Sequence, residues 1–383
     1  MNIPDKFCKA PFLRTVIDNN GTLLPCCEFM ANECSPDEIV KIDNFDYWWN
    51  NKLNELREIM INGQQHPACN YCISKEKFRT SHRQYVNAEV KTSFELIVEN
   101  YNRNKNNLEY PNALELRMGN LCNVKCIMCG PYASSSILGE YLKNKKEYNE
   151  LGIFSNEKTY FWWEDEDVKE KILNLISQSQ RINFAGGEPL INPFMTTILD
   201  YINEDCPISI STNMTVLKDE LYKKLIKFKR IIIRISIDGI GKHNDYIRHG
   251  SNWEDITKNI EKICLLKNTK IIISYILQHT SFYTLKNVLE WCEDKNFELD
   301  IGLIYEKSVD GSGHLTINSA SLEDYKKFKE WFELSQFNEK YPIIKKWLDS
   351  YKYDAQLNER FKKYMSLLDK LRNVNFAHTF LES

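Results

Sequence analysis

The chain has 383 residues, 43% of them hydrophobic and 27% charged, the balance of an ordinary globular protein with material for two or three domains. A formal net charge of −3 argues against the basic face of a nucleic-acid binder and supplies no field for an anionic membrane. No stretch reaches the roughly 18 apolar residues of a membrane span; even RIIIRISIDGI is interrupted by Arg234 and Asp238. The opening MNIPDKFCKA lacks the apolar core of a secretion signal. A cytoplasmic location is therefore expected, and there twelve cysteines point to metal binding or chemistry rather than to disulfides.

Residues 1–85 are rich in cysteine and turn residues. Residues 86–111 are polar and Asn-rich, ending in NYNRNKNNLEYP, and read as a linker or a helix with a frayed end. An alternating pattern begins at residue 112. Strands are expected at ALELRM (113–118), RINFAG (181–186), ISIST (208–212), RIIIRISID (230–238), KIIISYIL (270–277) and ELDIGLI (298–304). Amphipathic helices are expected over 133–145, 193–204, 218–228, 253–267 and 282–295. Short, nearly continuous apolar strands separated by helices indicate a parallel sheet covered on both faces. Six such units make a partial (β/α)6 TIM-type barrel, an α/β fold short of the eight units that close a full one. This barrel is expected over residues 112–305, followed by a mostly helical extension over 306–383.

About fifty residues separate Gly130 from the second strand, long for such a connection. Its TYFWWEDEDV (159–168) reads as a helix start with Trp162 and Trp163 packed inward, in preference to a lid. Cys206, Cys264 and Cys292 sit in ordinary helix or strand patterns and are expected to be small buried hydrophobes.

The stretch LCNVKCIMCG (121–130) places Cys122, Cys126 and Cys129 just after the first barrel strand, at the end where such folds build their sites. A structural zinc site takes four ligands, and a [4Fe–4S] cluster commonly takes four cysteines. Three close thiolates suit a metal centre that keeps one position open.

This C-x3-C-x2-C spacing resembles the radical S-adenosylmethionine superfamily, and further strand ends carry the resemblance. AGGEP (185–189) is similar to the family's Gly-Gly-Glu-Pro motif, implying that Gly186, Gly187 and Glu188 hold the amino group of the cofactor. STN (211–213) implies a ribose contact by Asn213, and SIDG (236–239) another by Ser236. Arg248 in YIRHG resembles the arginine that pairs with the cofactor carboxylate. The likeness covers roughly residues 112–305; one departure is Met128, where many members have an aromatic residue. It implies a [4Fe–4S] cluster on Cys122, Cys126 and Cys129, S-adenosylmethionine as cofactor, hydrogen abstraction by a 5′-deoxyadenosyl radical, and an electron donor such as flavodoxin or ferredoxin.

Cys8, Gly21, Cys26, Cys69 and Cys72 resemble the twitch domain, the shorter relative of the SPASM domain. That likeness implies an auxiliary [4Fe–4S] cluster on Cys8, Cys26, Cys69 and Cys72, with Cys27 as the alternative to Cys26. Here the domain precedes the barrel, whereas in well-known members it follows. Cys69 and Cys72 with His66 leave zinc open as another occupant. The implied substrate is a small molecule such as a sugar or nucleotide derivative, since no peptide-recognition domain precedes Cys8; a peptide substrate is the alternative. Readings from other classes are an iron–sulfur electron carrier, which leaves Gly-Gly-Glu-Pro unexplained, and a zinc-based nucleic-acid binder. No histidine pair, Walker loop, nucleophile elbow or dinucleotide fingerprint is present, and no acid or base is singled out.

Overall fold

The computed structural model describes residues 3–35, 38–77, 80–304 and 312–382. Ten strands occur among them. Eight run in the order β10-β9-β7-β6-β5-β3-β1-β2, and β4 pairs with β8 in a separate ribbon. They are β1 (Arg14–Ile17), β2 (Leu23–Leu24), β3 (Ala113–Arg117), β4 (Lys125–Cys126), β5 (Arg181–Ala185), β6 (Ile208–Thr212), β7 (Ile231–Ser236), β8 (Arg248–His249), β9 (Thr269–Leu277) and β10 (Glu298–Leu303). The six expected strands all form, within two residues of their expected ends. The α/β class and the six parallel barrel strands follow the sequence reading.

The chain divides into two compact units. The first comprises residues up to 119, 160–209 and 227–230. In it β3 lies parallel to β5, with Leu114 opposite Ile182 and Leu116 opposite Phe184. All four side chains are buried, while Glu115, Arg117 and Asn183 turn to the other face, which alternation along a strand requires. Sequence reading missed β1 as a sheet member. It pairs in parallel with β3, Val16 opposite Glu115, and then turns through Asp18–Gly21 into antiparallel β2. Gly21 has φ +78°, a conformation glycine adopts cheaply. The cysteine-rich segment therefore contributes strands to the sheet.

Residues 86–111 hold the end of a helix, His82–Glu89, and a second, Phe94–Asn104. The latter buries Phe94, Ile97, Val98 and Tyr101, with Phe94 edge-on to Phe7 at 4.7 Å. Trp163 is buried against Phe194, and Trp162 Nε1 donates to the Asn19 carbonyl at 3.0 Å. Asp165 accepts from Val168 N and caps the helix Glu166–Gln178. Both tryptophans pack, as expected of a helix start.

The second unit comprises residues 120–159, 210–226 and 231 onward. In it β7, β9 and β10 are parallel, with Ile233 opposite Ile271 and Tyr275 opposite Ile301. Helices Trp253–Cys264 and Ser281–Asp294 accompany them. Cys206 and Cys292 are buried, but Cys264 is exposed. The helix buries Ile256, Ile260 and Ile263, and residue 264 sits one position, about 100°, off that stripe. After residues 305–311, which lie outside the described residues, the C-terminal part is helical. Its longest helix, Ala355–Arg372, buries Phe361, Tyr364, Met365 and Leu368 in a cluster with Ile127, Tyr148 and Ile247. Among the described residues no helix is long and apolar enough to cross a membrane.

Candidate functional site

The loop after β3 carries the three cysteines, and serines hold its backbone. Ser135 Oγ accepts from Cys122 N at 3.1 Å, and Ser136 Oγ donates to the Cys122 carbonyl at 2.7 Å. Ser134 Oγ donates to the Val124 carbonyl at 2.8 Å. Cys129 N closes a turn onto the Cys126 carbonyl at 3.1 Å. Cys122, Val124 and Cys126 are buried together, with Met128 and Cys129 against them. Residues seven apart in sequence thus belong to one packed cluster.

The ribbon β4–β8 brings Arg248 opposite Cys126. Its Nη1 donates to Cys126 Sγ at 3.5 Å, and its Nη2 lies 2.5 Å from Asp238 Oδ2. Asp238 Oδ1 accepts from Ile276 N at 2.9 Å. Burial opposes both charges of the pair. It raises the Asp238 carboxyl, against which the guanidinium works; for Arg248, Asp238 and then Cys126 outweigh burial and push the guanidinium upward. Burial also raises the Cys126 thiol, and Arg248 counters it. Arg248 Nε is buried with no hydrogen-bond partner, a donor that a ligand carboxylate would satisfy.

Asn213 follows β6. Its Nδ2 donates to Asn123 Oδ1 at 3.0 Å, and its Oδ1 accepts from Thr215 N at 2.9 Å. It is thereby tied to the cysteine loop. Ser236 ends β7, opposite Ser274. Sequence reasoning chose Ser236 from the SIDG stretch and missed Asp238, the member that reaches Arg248. The available signal was an acid ending a run of isoleucines, where burial demands a cationic partner.

In the first unit, Gly186 and Gly187 follow β5. Gly187 N donates to the Gly119 carbonyl at 3.0 Å. Gly186 has φ +102°, and a Cβ there would sit 2.7 Å from Asn19 Oδ1 and 3.0 Å from the Gly119 carbonyl. Glu188 is buried and its Oε1 accepts from Leu190 N at 3.0 Å. Gly186→Ala is expected to destabilise the chain by more than about 1 kcal/mol, since φ is unsuited and the neighbours include backbone. Urea unfolding checks this; an unchanged midpoint contradicts it.

Also in this unit, Cys8, Cys26, Cys69 and Cys72 line one cavity with Lys6, Met60 and Arg83. Arg83 N donates to Cys72 Sγ at 3.4 Å. Burial pushes the Cys8 and Cys69 thiols up to about 12, so each keeps its proton unless a metal replaces it. Cys27 does not line this cavity: its Sγ is 3.7 Å from His82 Nδ1, a residue at the cavity's edge, and it borders a neighbouring cavity with Glu115 and Asn183 that Cys26 also touches. His66 is engaged locally, Nδ1 accepting from Ala68 N at 3.2 Å and Nε2 lying 3.3 Å from Glu38. Among the described residues no three His, Cys, Asp or Glu side chains are gathered as for a metal ion; a [4Fe–4S] cluster takes one thiolate on each iron.

Behind the cysteine loop lies a buried ionic group that the sequence did not disclose. Arg372 Nη2 and Nε donate to Glu140 at 2.8 and 3.2 Å, Lys125 Nζ donates to it at 2.8 Å and Tyr148 Oη at 2.7 Å. Burial raises the Glu140 carboxyl, but Arg372, Lys125 and Tyr148 prevail and bring it from 4.5 down to about 2. A carboxyl lowered by folding stabilises above its unfolded pKa, and that contribution is lost as pH falls through the folded value. About 3 kcal/mol should therefore disappear between roughly pH 5 and pH 2. Urea unfolding across that range will show it, and Glu140→Gln should flatten the slope. An equal slope in both chains would contradict the pairing.

Residues 116–291 match the family described as the radical SAM superfamily. The radical SAM cyclopropyl synthase TigE of Paramaledivibacter caminithermalis is 27% identical over 202 residues, 51% of this chain and 41% of that protein. Molybdenum cofactor biosynthesis protein 1 of Dictyostelium discoideum is 22% identical over 240 residues, 61% of this chain and 33% of that protein. The matched stretches thus span less than half of either relative. Among solved structures, anSMEcpe with bound AdoMet is similar with a TM-score of 0.41 and 18% identity, covering 58% of each chain. Streptococcus suis SuiB bound to precursor peptide SuiA has a TM-score of 0.41 and 13% identity, covering 73% of this chain and 62% of that one.

Proposed function

We infer that this chain, whose residues 116–291 are a radical SAM domain, is an enzyme that holds a [4Fe–4S] cluster on Cys122, Cys126 and Cys129 and binds S-adenosylmethionine beside it. The carrying observation is the buried three-cysteine loop with Arg248 on Cys126 Sγ and the Arg248 Nε unsatisfied. When bound, the cluster supplies the electron that cleaves the cofactor reductively and starts hydrogen abstraction, chemistry that side chains lack.

The chain's own residues do the rest. Three thiolates hold the metal and leave one position open. Glu188 pairs with the cofactor ammonium, and Gly186 and Gly187 admit its close approach. Arg248 offers Nε to the carboxylate while Asp238 keeps the guanidinium oriented. Asn213 and Ser236 serve the ribose hydroxyls.

Residues 1–85 form a twitch-like domain in which Cys8, Cys26, Cys69 and Cys72 hold an auxiliary [4Fe–4S] cluster, joined through 86–111 to the barrel of 112–305. Their shared cavity and the orientation of Cys27 toward His82 support this ligand set. The auxiliary centre assists oxidation or rearrangement of a small molecule, a sugar or nucleotide derivative, in the cytoplasm, with a flavodoxin or ferredoxin as electron donor. Both curated relatives have biosynthetic names, one of them for a cofactor, which supports a bond-forming reaction on a small molecule.

The test is anaerobic reconstitution followed by dithionite and S-adenosylmethionine. About eight irons per chain and formation of 5′-deoxyadenosine are expected. Stoichiometric zinc without iron overturns the reading.

A further inference from the structure

We propose that the C-terminal helix Ala355–Arg372 is part of the cluster site, with Arg372 and Tyr364 as positioning residues for Cys126. The inference rests on the reading that Cys122, Cys126 and Cys129 hold a cluster.

Three successive peptide groups around Cys126 are each fixed by a different partner. The Lys125 carbonyl, in the peptide joining 125 to 126, accepts from Arg372 Nη1 at 2.8 Å. The amide of Ile127, in the next peptide, donates to the Ile247 carbonyl at 2.9 Å. The Ile127 carbonyl, in the peptide after that, accepts from Tyr364 Oη at 2.9 Å. With all three planes held, the backbone dihedrals of Cys126 and Ile127 are set, and with them the direction in which the Cys126 Cα–Cβ bond points. Two of the three partners come from one helix, more than 230 residues away in sequence.

The remaining hydrogen bonds show why an arginine is used. Arg372 is nearly inaccessible, with 2% of its side chain exposed, and Glu140 has 6%. A guanidinium buried so deeply needs a carboxylate, and Glu140 supplies both oxygens while also accepting from Lys125 and Tyr148. The planar fork then has one nitrogen left for the Lys125 carbonyl, a geometry lysine cannot reproduce. Three residues before Arg372 on the same helix, Asp369 Oδ1 accepts from Tyr246 Oη at 2.7 Å. Tyr246 lies two residues before Arg248, so the helix also braces the segment that carries the Cys126 Sγ donor.

A helix serving only to stabilise the fold would affect unfolding and leave the metal centre alone. Groups behind metal ligands, by contrast, alter affinity about 10- to 100-fold when removed. The full chain is reconstituted without oxygen as wild type, Tyr364→Phe, Arg372→Gln and Arg372→Lys. Iron content, the electron paramagnetic resonance spectrum and midpoint potential of each reduced cluster, loss of iron to a chelator and thermal midpoint are measured. Tyr364→Phe removes one hydroxyl and is expected to stay folded. It should shift the spectrum and potential of the Cys126-dependent cluster and speed its loss to chelator about tenfold, with the auxiliary signal unchanged. Arg372→Gln should lower iron from about eight to about four, and Arg372→Lys should restore only part of it. The proposal is overturned if Tyr364→Phe and whichever arginine variants fold keep the wild-type spectrum, potential and chelator lifetime while only the thermal midpoint falls. If Arg372→Gln fails to fold, Tyr364→Phe decides alone. Failure of the underlying reading looks different: wild type would show no cluster signal that Cys126→Ala removes.

Discussion

Cys126→Ala is expected to abolish 5′-deoxyadenosine formation, by more than about 100-fold, and to lower reconstituted iron from about eight to about four per chain. Cys126 is the middle cysteine of the loop. Its sulfur accepts from Arg248, its backbone pairs with the ribbon strand β8, and both neighbouring carbonyls are bonded to the C-terminal helix. Alanine removes the thiolate and leaves that scaffold intact, so the loss should be chemical, with a thermal midpoint close to wild type in the metal-free chain. Glu188→Gln makes the complementary separation. It should keep all the iron and weaken cofactor binding, because an amide cannot pair with an ammonium. An iron–sulfur electron carrier predicts the opposite for Glu188, with no effect on any measured property. Persistent 5′-deoxyadenosine from Cys126→Ala would remove the loop from the mechanism.

The second large effect separates the two cysteine groups. Cys69→Ala combined with Cys72→Ala is expected to remove about four irons while reductive cleavage of S-adenosylmethionine continues, because Cys122, Cys126 and Cys129 are untouched. Cys26→Ala should behave like the double variant and Cys27→Ala like wild type. The reason is orientation. Cys26 lines the cavity shared with Cys8, Cys69 and Cys72, whereas Cys27 lies against His82. The two sit in a turn after β2, closed by Phe29 N on the Cys26 carbonyl at 3.3 Å, and of the pair Cys26 borders that cavity. The ligand assignment is wrong if Cys27→Ala loses the iron and Cys26→Ala retains it.

The barrel strands were readable because each is a short apolar run whose periodicity and bounding turns are local properties. Ile231, Ile233 and Ile235 in β7 are buried and alternate with the partly exposed Ile232, Arg234 and Ser236, as a pleated strand must. The three-cysteine loop was readable for the same reason, since its cysteines lie within eight consecutive residues. Arg248 could be singled out from its local stretch, but its Asp238 partner and its contact with Cys126 could not.

What the sequence determined by itself was therefore everything coded at short range: the alternation of strands and helices, the cysteine spacings and the glycines after β5. The tertiary structure alone decided which groups meet across long separations. It placed β1 beside β3, turned Cys26 rather than Cys27 into the cysteine cavity, paired Asp238 with Arg248, and set Arg372 and Tyr364 behind Cys126. A buried charge must find a counter-charge and a buried carbonyl a donor, and both rules fix the kind of partner without fixing its position in the chain. Arg372 and Glu140 are 232 residues apart, and only the folded backbone brings them together.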